Sequence, residues 1–357
     1  MLTSFILAAP KIKKFGRTFV LSLLLVSTLL LSACSSVSYY TQSVVGHSRL
    51  MLARQPISKA ITKADPELTK QLQLAIELRQ YAVNELGLPD NNSYQSYVPL
   101  KRDFPVWVVV ATQKFSLDAK QWCYLVIGCA SYRGYFSLDS AKLYAKGLQK
   151  KGYETYIGGA TAYSTLGWFA DPLLPSMLRY GTAELAETLF HELAHQVVYV
   201  NGDSDFNEAF ASVVGEQGAL RWLKQNRPAD VADYVAKLNA LDDFSALIQD
   251  TKKNLTRIYE KPISDQQKQA AKDAEFENLK LKYQSLKLRK WQNQSWFDSW
   301  FETPLDNARL AAFSTYRDRI PQLQAVFEQL NGDFDRFYRH FLTQFKKEKA
   351  TALGLEE

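Results

Sequence analysis

The residues best suited to chemistry are two histidines that flank a glutamate, in the run His191-Glu192-Leu193-Ala194-His195. Residues four apart in a helix lie on the same face, so both imidazole rings point into one small volume and can share a zinc ion. Glu192 follows His191 directly and lies beside the metal, where its carboxylate can take a proton from zinc-bound water. The pattern H-E-x-x-H predicts a zinc-dependent hydrolytic centre.

The residues around this motif favour a helix. Apolar side chains recur at Leu185, Leu189 and Leu193, and the hydroxyl of Thr182 is predicted to cap the first turn. The chain contains only four histidines, so two of them at this spacing around a glutamate favour a site over coincidence. The alternative is a helix with two partly exposed histidines and no metal.

A catalytic zinc needs a third protein ligand and one open position. After a predicted turn at residues 201–203, a second helix begins near Phe206 and carries Glu208 close to its start. An antiparallel return of the chain would bring the Glu208 carboxylate over the two histidines, so we predict Glu208 as the third ligand. The alternative is a first-turn glutamate that only interacts with the helix dipole. The other acidic candidates are Asp203, Asp205 and Glu216.

The carbonyl oxygen that becomes negatively charged during hydrolysis needs a hydrogen-bond donor, commonly Tyr, His or Arg. Tyr316 and Arg309 are candidates for this catalytic role, and Tyr163 and Arg133 are others. Spacing alone does not rank these four residues, and each of them can equally well be structural.

The first 33 residues predict an export signal. Four cations, between Lys11 and Arg17, precede an apolar stretch at 19–31, and Leu31-Ser32-Ala33-Cys34 resembles a bacterial lipobox. This predicts cleavage before Cys34 and a lipid anchor on its sulfur. By resemblance to Gram-negative lipoproteins, Ser35 in place of Asp favours the outer membrane, with the protein facing the periplasm. The alternative is an ordinary secretory signal with an incidental cysteine.

Composition bounds the remaining chain. Removing 33 of the 357 residues leaves enough for one large core or two subdomains, and no other segment has the roughly 18 to 20 apolar residues that span a bilayer. A formal net charge of +6 is mild and scattered, which argues against a nucleic-acid partner. Cys123 and Cys129 can form a disulfide after export, provided that the chain bends between them, for example at Gly128. The sequence leaves both the bridged and the free state open.

Local signals predict an α+β fold, mainly helical, with a small mixed sheet beside the zinc helix. Asp65-Pro66 begins a helix that Gly87 ends, and β-branched and aromatic runs at 106–111 and 123–127 predict strands. The glycine-containing run at 158–169 predicts either an edge strand that pairs with a peptide substrate or a plain buried strand and turn.

We divide the mature chain into three predicted parts. Residues 34–223 hold the N-terminal helices, the sheet and the zinc-binding helices. Residues 224–292 hold two long amphipathic helices that form a helical hairpin, interrupted at 261–265. Residues 293–357 are helical and complete the cleft. The hairpin can be a lid, an arm for an envelope protein partner, or a solvated buttress.

The run from Ala162 to Trp222 resembles the zinc aminopeptidases found among Gram-negative bacterial lipoproteins, which belong to the gluzincin clan. The likeness rests on residues 162–169, 191–196 and 206–211, and it extends to 128–129, 132–136 and 307–310. It implies a zincin-like fold with His191, His195 and Glu208 as zinc ligands and Glu192 as general base. A peptide is the implied substrate.

Two other functions fit the same residues. One is a catalytically silent, zinc-containing envelope lipoprotein that acts as an adapter and holds its partner with the helical hairpin. The other is an endopeptidase, which differs from an aminopeptidase only in how the cleft is closed. Exopeptidase action needs an acidic pocket for the substrate amine, and the sequence does not locate that pocket.

Overall fold

A computed structural model describes residues 39–124 and 128–352 of the chain, without the side chains of residues 314–316 and 347–352. The export signal and Cys34 lie outside the described residues. Contacts divide the chain into two compact units, residues 1–50 and 51–357, each of which is described by itself. None of the described helices combines the length and the apolar character that crossing a bilayer would require.

Most of the first described helix, α1 at residues 39–52, belongs to the first unit. The strands of the second unit are β1 (Gln55–Pro56), β2 (Ser96–Tyr97), β3 (Val106–Gln113), β4 (Trp122–Tyr124), β5 (Gly128–Ala130), β6 (Arg133–Tyr135) and β7 (Tyr153–Ala160). Its helices are α2 (Ile57–Ile61), α3 (Pro66–Leu86), α4 (Leu138–Gln149), α5 (Pro175–Leu178), α6 (Thr182–Ala194), α7 (Ser204–Asn226), α8 (Val231–Glu260), α9 (Asp265–Arg289), α10 (Asn307–Arg317), α11 (Ile320–Gln329) and α12 (Phe334–Ala352). The α+β class is confirmed, and helix predominates.

Helix α3 begins and ends where the sequence predicts. The Asp65 side chain accepts a hydrogen bond from the backbone N–H of Leu68 at 2.8 Å, and Pro66 occupies the first turn. Gly87 ends the helix with a φ of +65°, a left-handed conformation that costs glycine little.

The main sheet has three strands in the order β6, β3, β7, and both strand pairs are antiparallel. The prediction of a mixed sheet is therefore wrong. Helix α4 carries the chain from β6 to the far side of β3, so the strands that run in the same direction, β6 and β7, never become neighbours. The prediction failed because local patterns do not fix which strands pair.

Strands β4 and β5 form a hairpin that is closed by a disulfide. Cys123 and Cys129 lie directly opposite each other, with 3.8 Å between their Cα atoms, and their sulfurs are bonded. The chain takes a φ of +75° at Gly128, the position where the sequence predicts a bend. A Cβ at Gly128 would overlap Asn201 Oδ1, so this hairpin packs directly on the loop between α6 and α7.

Helices α8 and α9 occupy the region predicted as a helical hairpin, and their buried side chains belong to an aromatic core. The Phe244 ring stacks on Phe297 with centroids 4.5 Å apart, and Tyr283 stacks on Phe301 at 4.4 Å. Leu310 of α10 is buried in the same core. The two long helices therefore pack tightly onto the body of the second unit.

Candidate metal centre and cleft

The H-E-x-x-H motif lies at the C-terminal end of α6. His191 and Glu192 are in the last turn, and His195 is the residue that follows the helix, with its N–H donating to His191 O at 3.3 Å. At the other end, the predicted cap by Thr182 is wrong: Thr182 is the first helical residue, and Gly181 precedes it without a side-chain cap. Gly181 has a φ of +110°, a conformation that favours glycine over a capping side chain.

The second unit brings His191, His195 and Glu208 together. The two Nε2 atoms are 3.1 Å apart, and Glu208 Oε2 lies 3.3 Å from His191 Nε2 and 3.8 Å from His195 Nε2. Two ligand atoms bound tetrahedrally to one zinc at about 2.0 to 2.1 Å are about 3.3 Å from each other. The three side chains therefore fit a metal ion, and three protein atoms leave a fourth position open.

The other acidic candidates are engaged elsewhere or exposed. Asp203 caps α7 by accepting a hydrogen bond from the N–H of Phe206 at 3.1 Å. Glu216 forms a buried ion pair with Arg317 of α10, and Asp205 is exposed. None of them joins the three-residue group found among the described residues.

Glycines let α7 approach α6 closely enough to place Glu208 over the histidines. A Cβ at Gly215 would lie 2.7 Å from the backbone oxygen of Glu187 and 3.2 Å from His191 Cβ. A Cβ at Gly218 would lie 2.9 Å from the Phe190 ring. Glycine inside a helix costs roughly 1 kcal/mol relative to alanine, so two glycines in α7 mark a close helix contact that sequence reasoning missed.

Asn207 holds the loop between the two helices. Its Oδ1 accepts from the N–H of Val200 at 2.7 Å, and its Nδ2 donates to Val200 O at 2.8 Å. The side chain is 2% exposed, so both hydrogen bonds are shielded from water. Because Glu208 is the next residue, these two hydrogen bonds also fix the backbone position from which the Glu208 side chain extends.

The electrostatic setting gives His195 and Glu208 the protonation states that bind metal, whereas at His191 burial, which lowers the pKa, is outweighed by Glu208, Glu192 and Glu187, which raise it. Burial lowers the pKa of His195 to about 4, so its ring is neutral near pH 7. Burial opposes ionisation of Glu208, but a hydrogen bond to His191 and the nearby His195 ring hold its pKa below the usual value. Metal ligation needs a neutral imidazole and an ionised carboxylate, as His195 and Glu208 provide.

Glu192 stands beside these ligands in a different environment. Burial raises its pKa to about 7, and the nearby Glu208 and Asp171 act in the same direction, while His191 opposes them. A carboxyl group with a pKa near the working pH can both accept and return a proton.

The metal centre opens into a cleft of about 890 Å³. One wall is the sheet face that carries Val106, Val108 and Val110, and another is α6 with His191 and Glu192. Residues 160–166, Trp168 and Phe169 line it between β7 and α6, and Trp300, Ala312 and Phe313 line it from the C-terminal part. The cleft is thus apolar along the sheet and polar where the three candidate metal ligands lie.

The four candidate hydrogen-bond donors have different fates. Arg309 lines the cleft, with its guanidinium 5.3 Å from the Tyr156 ring centroid and 5.0 Å from that of Trp300. Tyr163 also lines the cleft. Arg133 does not: it lies over the Tyr144 ring of α4 at 4.8 Å, because the alternation along β6 turns Gly134, not Arg133, toward the cleft. The side chain of Tyr316, on α10, lies outside the described residues.

The glycine-containing run after residue 157 is partly strand and partly loop. Strand β7 ends at Ala160 and is an edge of the three-stranded sheet. A Cβ at Gly159 would overlap the Phe104 ring, and one at Gly158 would lie 3.0 Å from the Tyr156 ring. Packing of these two rings therefore accounts for both glycines.

Glu187 is a cleft residue that the sequence analysis did not single out. It lies one turn before His191 on α6 and accepts a hydrogen bond from the Tyr234 hydroxyl at 2.8 Å. Burial raises the pKa of this carboxyl, against the lowering effect of the Tyr234 hydrogen bond. Its spacing of four residues from His191 was the signal that could have placed it on the metal side of the helix.

Comparison with known proteins gives a family. No curated protein and no solved structure matches the chain. A family model described as "Putative aminopeptidase" matches residues 38–353, a stretch that includes His191, His195, Glu208 and the whole lining of the cleft. The chain therefore belongs to this aminopeptidase family.

Proposed function

We propose that the protein is a zinc metallopeptidase that removes amino-terminal residues from peptides. The observation that carries the proposal is the convergence of His191 Nε2, His195 Nε2 and Glu208 Oε2, with Glu192 on the wall of the same cleft. Membership of the aminopeptidase family supports peptidase activity.

His191, His195 and Glu208 would hold the zinc. Two imidazoles and one carboxylate form a donor set used by hydrolytic zinc sites, in which the fourth position is left for water or substrate. A zinc ion held there lowers the pKa of water and polarises a carbonyl group.

Glu192 supplies the acid and base. Its carboxylate takes a proton from the attacking water, and the resulting carboxyl group donates that proton to the nitrogen of the leaving amine. A pKa raised to about 7 by burial suits both steps, because neither the proton uptake nor its return is strongly uphill near neutral pH.

Further residues would bind and orient the peptide. Arg309, which lines the cleft, and Tyr316 are the proposed donors to the carbonyl oxygen as negative charge develops on it. Strand β7 is the edge strand next to the cleft, so an extended peptide can add to it by backbone hydrogen bonds. The valines of β3 give this part of the cleft an apolar wall that excludes water.

The test combines metal analysis with the Glu192→Gln variant. We expect the wild-type chain to bind one zinc and to hydrolyse aminoacyl p-nitroanilides, and a chelator to abolish this activity until zinc is restored. Glu192→Gln should keep the zinc and lose activity by about 10²- to 10⁴-fold, the usual contribution of general acid–base catalysis.

Glu184→Gln is the matched control, because Glu184 lies on the same helix but pairs with Lys237 and does not line this cleft. We expect this variant to keep full activity. Full activity of Glu192→Gln, or a purified chain that binds no zinc, would contradict the proposal.

We also propose that Cys34 is lipidated and that the protein is anchored in the outer membrane, facing the periplasm. The lipobox-like Leu31-Ser32-Ala33-Cys34 supports this. Cell fractionation tests it: Cys34→Ala should move the protein out of the membrane fraction, and an unchanged distribution would rule the anchor out.

A further inference from the structure

An aminopeptidase must recognise the protonated amine of its substrate close to the bond that it cleaves. In one amino acid, the amine nitrogen and the carbonyl carbon are two bonds apart, about 2.5 Å. A carboxylate that binds this amine at ordinary hydrogen-bond distance therefore lies roughly 5 Å from the reacting carbon. That separation is about one turn of helix, which rises 5.4 Å.

Glu187 lies about one helix turn from a candidate metal ligand. It lies four residues before His191 on α6, so the two side chains are neighbours on one face of the helix. Glu187 and His191 line the same cleft, together with Glu192 and Thr188. The carboxylate is thus one turn away from the first metal ligand, on the substrate side.

Within the described part of the chain, Glu187 has no cationic partner. Its one hydrogen bond comes from the neutral Tyr234 hydroxyl. Two nearby cations pair with other acids: Lys237 with Glu184, and Arg317 with Glu216 and, at 2.8 Å, with Asp242. The third nearby group, His191, is a candidate metal ligand. Ionising a largely buried carboxyl group is costly without a positive partner, so a bound cation would stabilise its charged form.

The Glu187 carboxylate is held by a residue that lies outside the cleft lining. Tyr234 of α8 lies behind the carboxylate, is 4% exposed, and is not part of the cleft lining. Its hydroxyl holds one carboxylate oxygen, Oε2, and leaves Oε1 to accept from a ligand. A carboxylate held in this way suits a protonated amino terminus better than the neutral peptide nitrogen of a continuing chain.

We propose that Glu187, oriented by Tyr234, binds the protonated amino terminus of the substrate and restricts cleavage to the first peptide bond. The inference deepens the proposed function and rests on it, because the same cleft must bind peptides next to the metal. No bond is made or broken at Glu187; it is a substrate-binding residue.

The experiment compares free and blocked substrates on the full-length, zinc-loaded protein and its Glu187→Gln variant. With leucine p-nitroanilide we expect kcat/KM of the variant to fall about 100-fold, mainly through KM, because an amide cannot form the ion pair. With N-acetyl-leucine p-nitroanilide, which has no cationic amine, both proteins should show the same low rate.

Calorimetric binding of leucinamide and N-acetyl-leucinamide gives a readout that needs no turnover. The wild-type protein should prefer leucinamide, and Glu187→Gln should lose this preference and keep its zinc. Glu77→Gln, the same change at an exposed position of α3 that does not line the cleft, is the control and should behave like wild type. Tyr234→Phe retains the carboxylate without its hydroxyl partner, and we expect an intermediate loss of preference.

The outcomes separate the two proposals. Preference for the free amine that depends on Glu187, without hydrolysis of any peptide, would support the amine site and refute the peptidase. Equal losses on free and blocked compounds, or loss of zinc, would show that Glu187 is structural and would overturn the inference. If Glu187→Gln does not fold, the same comparison of leucinamide with N-acetyl-leucinamide is made on Glu187→Asp and Tyr234→Phe. A preference for leucinamide that is unchanged in both variants would overturn the inference.

Discussion

The helix pair α6 and α7, which carries the candidate metal ligands, and the helical hairpin, α8 and α9, are both built from consecutive helices, yet they are held together differently. The first pair meets through glycine, with Gly215 against the backbone of Glu187, and through the buried polar side chain of Asn207. The hairpin meets through large apolar side chains, centred on Phe244, and its outer face carries exposed ion pairs such as Lys282 with Asp250.

This difference shows which helices must hold their side chains in exact positions. Hydrophobic burial is roughly proportional to area and has no direction, so the hairpin can stabilise the body with many combinations of apolar residues. Metal ligation requires three atoms within a few tenths of an ångström of their places, and backbone contacts and hydrogen bonds supply that positioning. We therefore expect substitutions in the hairpin to change the free energy of unfolding, and substitutions in the helix pair to change metal affinity as well.

The largest effect on stability is expected in the hairpin. Phe244 is fully buried and stacks on Phe297, so Phe244→Ala should lower the free energy of unfolding in urea by about 3 to 5 kcal/mol. Phe244→Leu should cost less, and in both variants the folded protein should still bind one zinc. Loss of zinc from folded Phe244→Leu would show that the hairpin also positions the ligands.

At the contact between α6 and α7 we expect a smaller loss of stability and a larger loss of zinc affinity. Gly215→Ala places a Cβ 2.7 Å from a backbone oxygen that cannot move aside easily. We expect about 3 kcal/mol of destabilisation and about a tenfold weaker affinity for zinc, measured by competition with a chelator.

Gly147→Ala in α4 is the matched control for Gly215→Ala. A Cβ at Gly147 would have no neighbour within 4 Å, so this variant should gain about 0.5 to 1 kcal/mol from helix propensity and keep its zinc affinity. Equal behaviour of the two variants would show that the α6 and α7 contact tolerates a wider spacing than the structure indicates.

The smallest effects are expected when an asparagine is replaced by alanine in each of the two regions. Asn207→Ala removes two buried hydrogen bonds to Val200 and should cost about 2 kcal/mol, with weaker zinc binding. Asn254→Ala in the hairpin removes a partly exposed hydrogen bond to Glu275 and an exposed one from Arg257, and it should cost about 0.5 kcal/mol, with unchanged zinc binding. Thermal unfolding with and without zinc measures both, and a similar zinc-dependent shift in the two variants would remove the contrast between the regions.

Much of the site was predictable because its chemistry is local. Two histidines four apart in a helix share a face whatever the fold, and this places His191, Glu192 and His195 together from the sequence alone. Helix α3, the positions of the long helices and the bend at Gly128 also follow from neighbouring residues. Local signals failed at Thr182, where backbone geometry at Gly181 replaces the predicted cap.

The sequence by itself determined the motif, the mainly helical α+β class and the periodic burial of the hairpin. Only the tertiary structure decided that Glu208, and not Asp203 or Glu216, lies over the histidines, that the sheet is antiparallel, and that Tyr234 holds the Glu187 carboxylate. The place of Glu208 depends on how closely α7 approaches α6, which is set by glycines whose contacts are remote in sequence, and strand pairing likewise joins segments that are distant along the chain. A helical spacing fixes which residues share a face, but packing fixes what that face meets.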